Sequence, residues 1–228
     1  MRNGDPNVLV LELAAKELEP LLDDLTLVGG CAVGLLVSDP SRPPVRPTVD
    51  VDVLTEVVTI ANYYQMAERI KHLGFVEGEH PICRFIKKGL VIDLMPTSEE
   101  ILGFGNRWYP GAVDRALFTD LPSGRRLRHI AGPYMLATKL EAFHGRADGD
   151  YMHHDMEDII NLVDGRPELV GEIAAEPEAL REYLREEFDE LLGDAAFLAA
   201  VPAHFHPTED HASRLPVVLE RLRRVAGL

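Results

Sequence analysis

The segment Val49-Asp50-Val51-Asp52-Val53 alternates apolar and acidic residues with a period of two, and it constrains the fold more than any other stretch of the 228-residue chain. That period marks an extended strand with one face in a core, three valines on one side and both carboxylates on the other. Like charges side by side on one sheet face repel each other, so a cation is expected to compensate them. Asp93, in Val91-Ile92-Asp93-Leu94-Met95, repeats the arrangement: an acid inside an otherwise apolar strand, where aspartate is depleted. Any one of these aspartates, alone, reads as the solvent-facing residue of a half-exposed strand. The three together point to a metal site at Asp50, Asp52 and Asp93, and hard carboxylate oxygens suit Mg²⁺ or Mn²⁺.

Around this strand the chain reads as mixed α/β. Val8 to Asp24 has a helical apolar pattern. Leu25 to Val28 is a short strand that stops at Gly29-Gly30, and Cys31 to Val37 resumes as an apolar helix. Asp39 to Pro47 holds four prolines in nine residues and is expected to be a loop. Ile60 to Leu73 reads as a helix ended by Gly74. Ile82–Ile86 and Leu90–Met95 read as a hairpin around Lys87-Lys88-Gly89. One or two short strands are expected near the turn Pro122-Ser123-Gly124, between Trp108 and Arg128.

From Pro133 onward the apolar residues recur at helical spacing: Met135, Leu136, Leu140 and Phe143, then Met156, Ile159, Ile160 and Val163, then Leu180 to Leu192 and Leu215 to Val225. The expected organisation is an α/β (α+β) core with a mixed sheet over residues 1–130, followed by a C-terminal α-helical domain over residues 131–228.

Charge narrows the partners. Lys and Arg number 23 against 38 Asp and Glu, a formal charge of −15, which excludes bulk electrostatic binding to DNA or to anionic membrane. No apolar run reaches membrane-spanning length and Met1 to Asp5 lacks a signal-peptide pattern, so a cytoplasmic location is expected. Cys31 and Cys83 have neither CxxC nor Cys/His spacing and read as small buried hydrophobes. The histidine groups His153-His154 and His204, His206 and His211 lack the tight paired spacing of structural zinc. Gly-x-Ser-x-Gly, Walker A and His-Glu-x-x-His motifs are absent from the sequence. The arginine groups at 125, 126 and 128 and at 221, 223 and 224 read first as solvated surface, and second as local grips for RNA.

Val28-Gly29-Gly30, then Arg46-Pro47-Thr48-Val49-Asp50-Val51-Asp52-Val53, then Val91-Ile92-Asp93-Leu94 together resemble the nucleotidyltransferase superfamily, whose pattern is a glycine turn, a paired-aspartate strand and a lone acidic strand residue. With Lys139-Leu140-Glu141-Ala142-Phe143 and Asp155-x-x-Asp158-Ile159, the chain is similar to the AbiEii-like toxin branch of type IV toxin–antitoxin systems. The similarity spans about residues 25 to 165, with a longer, proline-rich gap between Gly30 and Asp50 than compact members have.

The resemblance implies metal-dependent transfer of a nucleoside monophosphate from an NTP to an acceptor, such as tRNA or another RNA, with a cognate antitoxin protein as partner. Asp50, Asp52 and Asp93 would hold two metal ions, with Asp93 helping to deprotonate the acceptor. Gly29 and Gly30 would let phosphate approach a helix N-terminus. Arg46 is either a solvated loop residue or one that reaches a phosphate or braces the aspartates, and Thr48 either a site residue or a brace for the turn. Lys139 would meet the triphosphate, and Asp155 or Asp158 would belong to the site, pairing with Lys139 or Arg146 when it is empty. The active site is expected between the two domains. An antibiotic adenylyltransferase shares the same glycine and paired-aspartate pattern. A binding protein that kept the fold without turnover is the contrasting class.

Overall fold

In the computed structural model, which describes residues 5–79, 81–208 and 210–228 and so leaves Met1 to Gly4 outside, the first helix α1 runs Val8–Glu17. The expected single helix to Asp24 is cut short: Pro20 has no N–H for the next helical bond, and the chain tightens into a 3₁₀ turn over Glu19–Asp24. β1 (Leu25–Val28) and α2 (Gly29–Leu36) form the strand, glycine turn and helix expected from the sequence. β2 is Asp50–Thr55 and α3 is Ile60–His72, capped by the Thr59 hydroxyl, which accepts from the Asn62 amide.

β3 (Val76–Glu77), β4 (Arg84–Lys87) and β5 (Leu90–Pro96) follow. The β4–β5 turn is only Lys88-Gly89, both at positive φ (51° and 86°), the two-residue hairpin geometry that matches strand twist. Lys87 therefore belongs to the strand rather than to the expected loop. The short helices α4 (Glu99–Leu102) and α5 (Tyr109–Asp114) precede β6 (Leu117–Asp120) and β7 (Arg126–His129), the pair expected around Pro122-Ser123-Gly124.

The seven strands make one mixed sheet in the order β3-β4-β5-β2-β1-β7-β6. β2 runs parallel to β5 and antiparallel to β1, and β5 runs antiparallel to β4. On one face of the central strands, Phe85, Ile92 and Val51 align across β4, β5 and β2 and are 0–1 % exposed. Fully burying such a side chain contributes roughly 1.5–3 kcal/mol. Leu11, Ala14 and Ala15 of α1 line one small apolar space with Val51, Val53 and Leu27. Val49, expected among the core valines, lies just before β2 and is 81 % exposed.

The chain divides into two compact units. The sheet unit comprises residues up to Leu35 together with Pro44–Ala131, and the helical unit comprises Leu36–Pro43 together with Gly132–Leu228. The helical unit contains α6 (Gly132–Arg146), α7 (His154–Gly165), α8 (Leu169–Ala174), α9 (Glu178–Gly193), α10 (Ala195–Ala200) and α11 (His211–Ala226). Its strap, residues 36–43, is fixed to the end of α7. The amides of Ser38 and Asp39 both donate to the Gly165 carbonyl at 3.0 Å. Arg42 pairs at 2.6 Å with the fully buried Asp164. Arg214 also bonds Asp164, and Arg221 donates to its carbonyl. Gly165 is required there, because a Cβ on it would lie 2.7 Å from a Val37 methyl. No helix among the described residues is long and apolar enough to cross a membrane.

Candidate active site

β2 ends its proline-rich approach on a small polar brace. The buried Asn7 side chain donates to the Arg46 carbonyl (3.1 Å) and accepts from the Thr48 amide (2.9 Å). The Cys31 thiol donates to the Asp50 carbonyl (3.2 Å) and is hydrogen-bonded to the Thr48 hydroxyl. Thr48 therefore orients the chain into the strand, and the half-buried Arg46 is tied through its own backbone. Burial, with Asp52 and Asp50 nearby, pushes the Cys31 thiol up to about 12, so it stays protonated at neutral pH.

Past this brace the pleat turns Asp50 and Asp52 to the face opposite Val51 and Val53. Parallel pairing sets Asp52 directly beside Asp93, and antiparallel pairing sets Arg84 beside Asp93 on the other side. Arg84, Asp93, Asp52 and Asp50 thus share one sheet face across three strands. The guanidinium grips Asp93 in a two-pronged contact, Nε to Oδ1 at 2.8 Å and Nη2 to Oδ2 at 2.6 Å. Nη2 also donates to Asp50 Oδ2 at 2.9 Å. Asp93 is nearly buried, whereas Asp50 is about a third exposed. Hydrogen bonding to Asp93, outweighing burial, raises the guanidinium further above its already high ordinary value, so Arg84 is a permanent cation here.

On the β1 side, Val28 pairs with Asp52 and the next residue, Gly29, has φ +68°. A Cβ on Gly29 would stand 1.9 Å from Asp52 Oδ2, so the missing side chain is the space this carboxylate occupies. Asp52 is thereby held against the turn that opens α2.

In the helical unit, the residues singled out from the sequence also converge. Lys139 of α6 is 6 % exposed and donates to Asp155 Oδ1 (3.0 Å), with Asp158 Oδ2 at 2.7 Å; both aspartates are on α7. Arg146 adds Nε to Asp155 Oδ2 and Nη2 to Oδ1, each at 2.7 Å. Burial opposes ionisation of Asp155, but the Arg146 hydrogen bonds and the Lys139 charge outweigh it and hold the carboxyl well below the usual range. Burial likewise disfavours the Lys139 ammonium, and the two aspartates more than offset it, raising its affinity for the proton. This is a closed ion network in which each aspartate has a cationic partner.

His153 and His154 lie with Asp155 close enough for their ligand atoms to fall within 4.8 Å of one another, yet both Asp155 oxygens already accept from cations. His204 is bonded to the Tyr151 carbonyl at 2.8 Å, and burial lowers its proton affinity. Arg128 donates to the Val113 carbonyl and Arg221 to Val163 and Asp164, so each basic group contributes a residue to internal bonding rather than to the surface.

Sequence reasoning missed Arg84. The signal was present: a two-residue turn sets Lys87 opposite Leu90, and three steps back it sets Arg84 opposite Asp93.

No protein-family model matches the sequence, and no curated protein does. Among solved structures, the chain is similar to an antigenic nucleotidyltransferase-like protein from Paracoccidioides brasiliensis, at 18% identity and a TM-score of 0.53, with 88% of this chain and 93% of that one covered. At that identity the likeness concerns the fold: the mixed sheet with its following helices is a nucleotidyltransferase-like architecture.

Proposed function

We propose that the protein is a metal-dependent nucleotidyltransferase that moves a nucleoside monophosphate from an NTP to an acceptor hydroxyl. The observation that carries this reading is the register of β2 and β5, which puts Asp52 beside Asp93 and Asp50 on the same sheet face, next to the Gly29 turn. The residues fit a divalent ion on two counts. All three are hard oxygen donors, and the face already attracts a cation, the Arg84 guanidinium, onto Asp93 and Asp50. Mg²⁺ or Mn²⁺ bound by Asp50 and Asp52 would neutralise charge on the phosphates and polarise the α-phosphoryl group.

The protein's own groups do the rest. Gly29 keeps Asp52 in place by leaving it room. Arg84 holds both Asp93 oxygens and one of Asp50, fixing the spacing of the acids. In the transfer, the acceptor oxygen forms a bond to the α-phosphorus while the bond from that phosphorus to the bridging oxygen breaks. Pyrophosphate leaves with the electron pair, and the acceptor's proton passes to solvent.

RNA is the acceptor proposed for the first test, in keeping with the toxin-like motifs Lys139 to Phe143 and Asp155 to Ile159, and a cognate antitoxin would then restrain the activity. The protein incubated with Mg²⁺, labelled NTPs and total RNA should transfer label to RNA, and Asp52→Ala should abolish it. Equal labelling by the variant removes the catalytic assignment. Label on an aminoglycoside or lincosamide instead of RNA makes the antibiotic the acceptor, and nucleotide binding with no transfer to either makes the protein a binding module.

A further inference from the structure

We infer that Arg84 is a built-in second cation of the acidic face, so that the nucleotide-free protein binds one divalent ion, on Asp50 and Asp52, rather than two. The inference rests on the metal-dependent reading above and concerns how the acids are shared.

Asp93 is the acid that a second ion would need, and it is nearly buried with both oxygens taken by one guanidinium, at 2.8 and 2.6 Å. Bidentate pairing of this kind is directional and among the stronger charge-assisted contacts. A second ion would have to strip it, stranding a guanidinium beside two dications. Asp50 is engaged differently. Arg84 reaches only Oδ2, and the side chain is about a third open to solvent, so Oδ1 stays available for sharing an ion with Asp52.

The pairing register makes the arrangement intrinsic to the sheet: Arg84 is opposite Asp93 by hairpin geometry, so the guanidinium does not depend on a ligand to bring it there. Where the resemblance implies two metal ions, the inference has one metal ion and one guanidinium on this face.

The test counts Mn²⁺ bound to the full-length protein without nucleotide, by electron paramagnetic resonance of the free ion, in wild type, Arg84→Gln and Asp50→Asn. The inference expects one site in wild type, lost in Asp50→Asn. In Arg84→Gln it expects a second site, or a first-site affinity raised roughly tenfold by removal of a positive charge a few ångströms away. Two sites in wild type overturn the inference and leave metal dependence intact, as does an Arg84→Gln variant that binds one ion with unchanged affinity. No Asp50-dependent binding in any of the proteins overturns the metal reading itself. If Arg84→Gln does not fold by circular dichroism, Arg84→Lys serves instead. Its ammonium keeps the charge but cannot bridge Asp93 and Asp50 with a planar fork, so the count should stay at one with the affinity within about threefold of wild type; a second site in that variant overturns the inference.

Discussion

Gly29→Ala is the substitution whose effect the structure specifies most closely. Two costs are separable. The residue sits at φ +68°, where an L side chain costs roughly 1–2 kcal/mol. In addition, the new Cβ would stand 1.9 Å from Asp52 Oδ2, 2.7 Å from its carboxyl carbon and 2.9 Å from its Cβ, so the aspartate must swing away. Displacing a charged, hydrogen-bonding group from its place costs roughly 1–3 kcal/mol more. Gly89→Ala supplies the control. It carries a similar φ, +86°, but nothing lies within 4 Å of its added Cβ, so only the conformational cost applies.

Urea unfolding of both variants should therefore show Gly29→Ala less stable than Gly89→Ala by roughly 1–3 kcal/mol. The excess should shrink when Asp52 is itself changed to Ala, because the overlapping carboxylate is gone. Mn²⁺ affinity should fall about 10–100-fold in Gly29→Ala, as for other residues that orient a metal ligand, and remain unchanged in Gly89→Ala. Equal destabilisation by the two substitutions, with metal binding retained, would refute the idea that Gly29 exists to seat Asp52.

Three further outcomes follow from the buried groups. Lys139→Met leaves Asp155 and Asp158 without their shared ammonium in the interior and should destabilise the protein by about 3–5 kcal/mol in thermal or urea melts; a loss below about 1 kcal/mol would contradict the network. Because the folded-state affinity of Asp155 for protons is depressed, its contribution is present at neutral pH and lost as pH falls below the ordinary value of 3.8 toward the folded one. The stability gap between wild type and Asp155→Asn should accordingly narrow in that acid window and stay flat from pH 5 to 8. Cys31 and Cys83 are buried, and desolvation pushes both thiols up to about 12, so native protein at pH 8 should resist iodoacetamide and take up two equivalents in urea, as read by mass spectrometry.

The central strands of the sheet were legible because they either alternate, as at Val49 to Val53, or are largely apolar and bounded by glycine, as at Leu25 to Val28. The four long helices of the C-terminal half announced themselves by apolar spacing. What escaped was set by single residues or by pairing. Pro20 ended α1 inside a pattern that periodicity alone would continue. β3 has two residues, both exposed, too few to show any period. Arg84 was hidden because a charged residue in an apolar run carries no meaning until its neighbour across the hairpin is known, and placing Lys87 in the turn shifted that neighbour. The candidate acids Asp50, Asp52 and Asp93 were legible as types and spacing, whereas their sharing of one guanidinium is a property of register.

The strap over residues 36–43 bears on the order in which the chain can be assembled as it is made. Its anchors, Gly165 and Asp164, are synthesised more than a hundred residues later, so a ribosome finishing the sheet unit has produced a segment whose partners do not yet exist. A cut after Ala131 would yield neither unit whole: the upstream piece would carry an orphaned strap, and the downstream piece would bury Asp164 without Arg42. The two units are therefore distinct as packed bodies but inseparable as lengths of polypeptide.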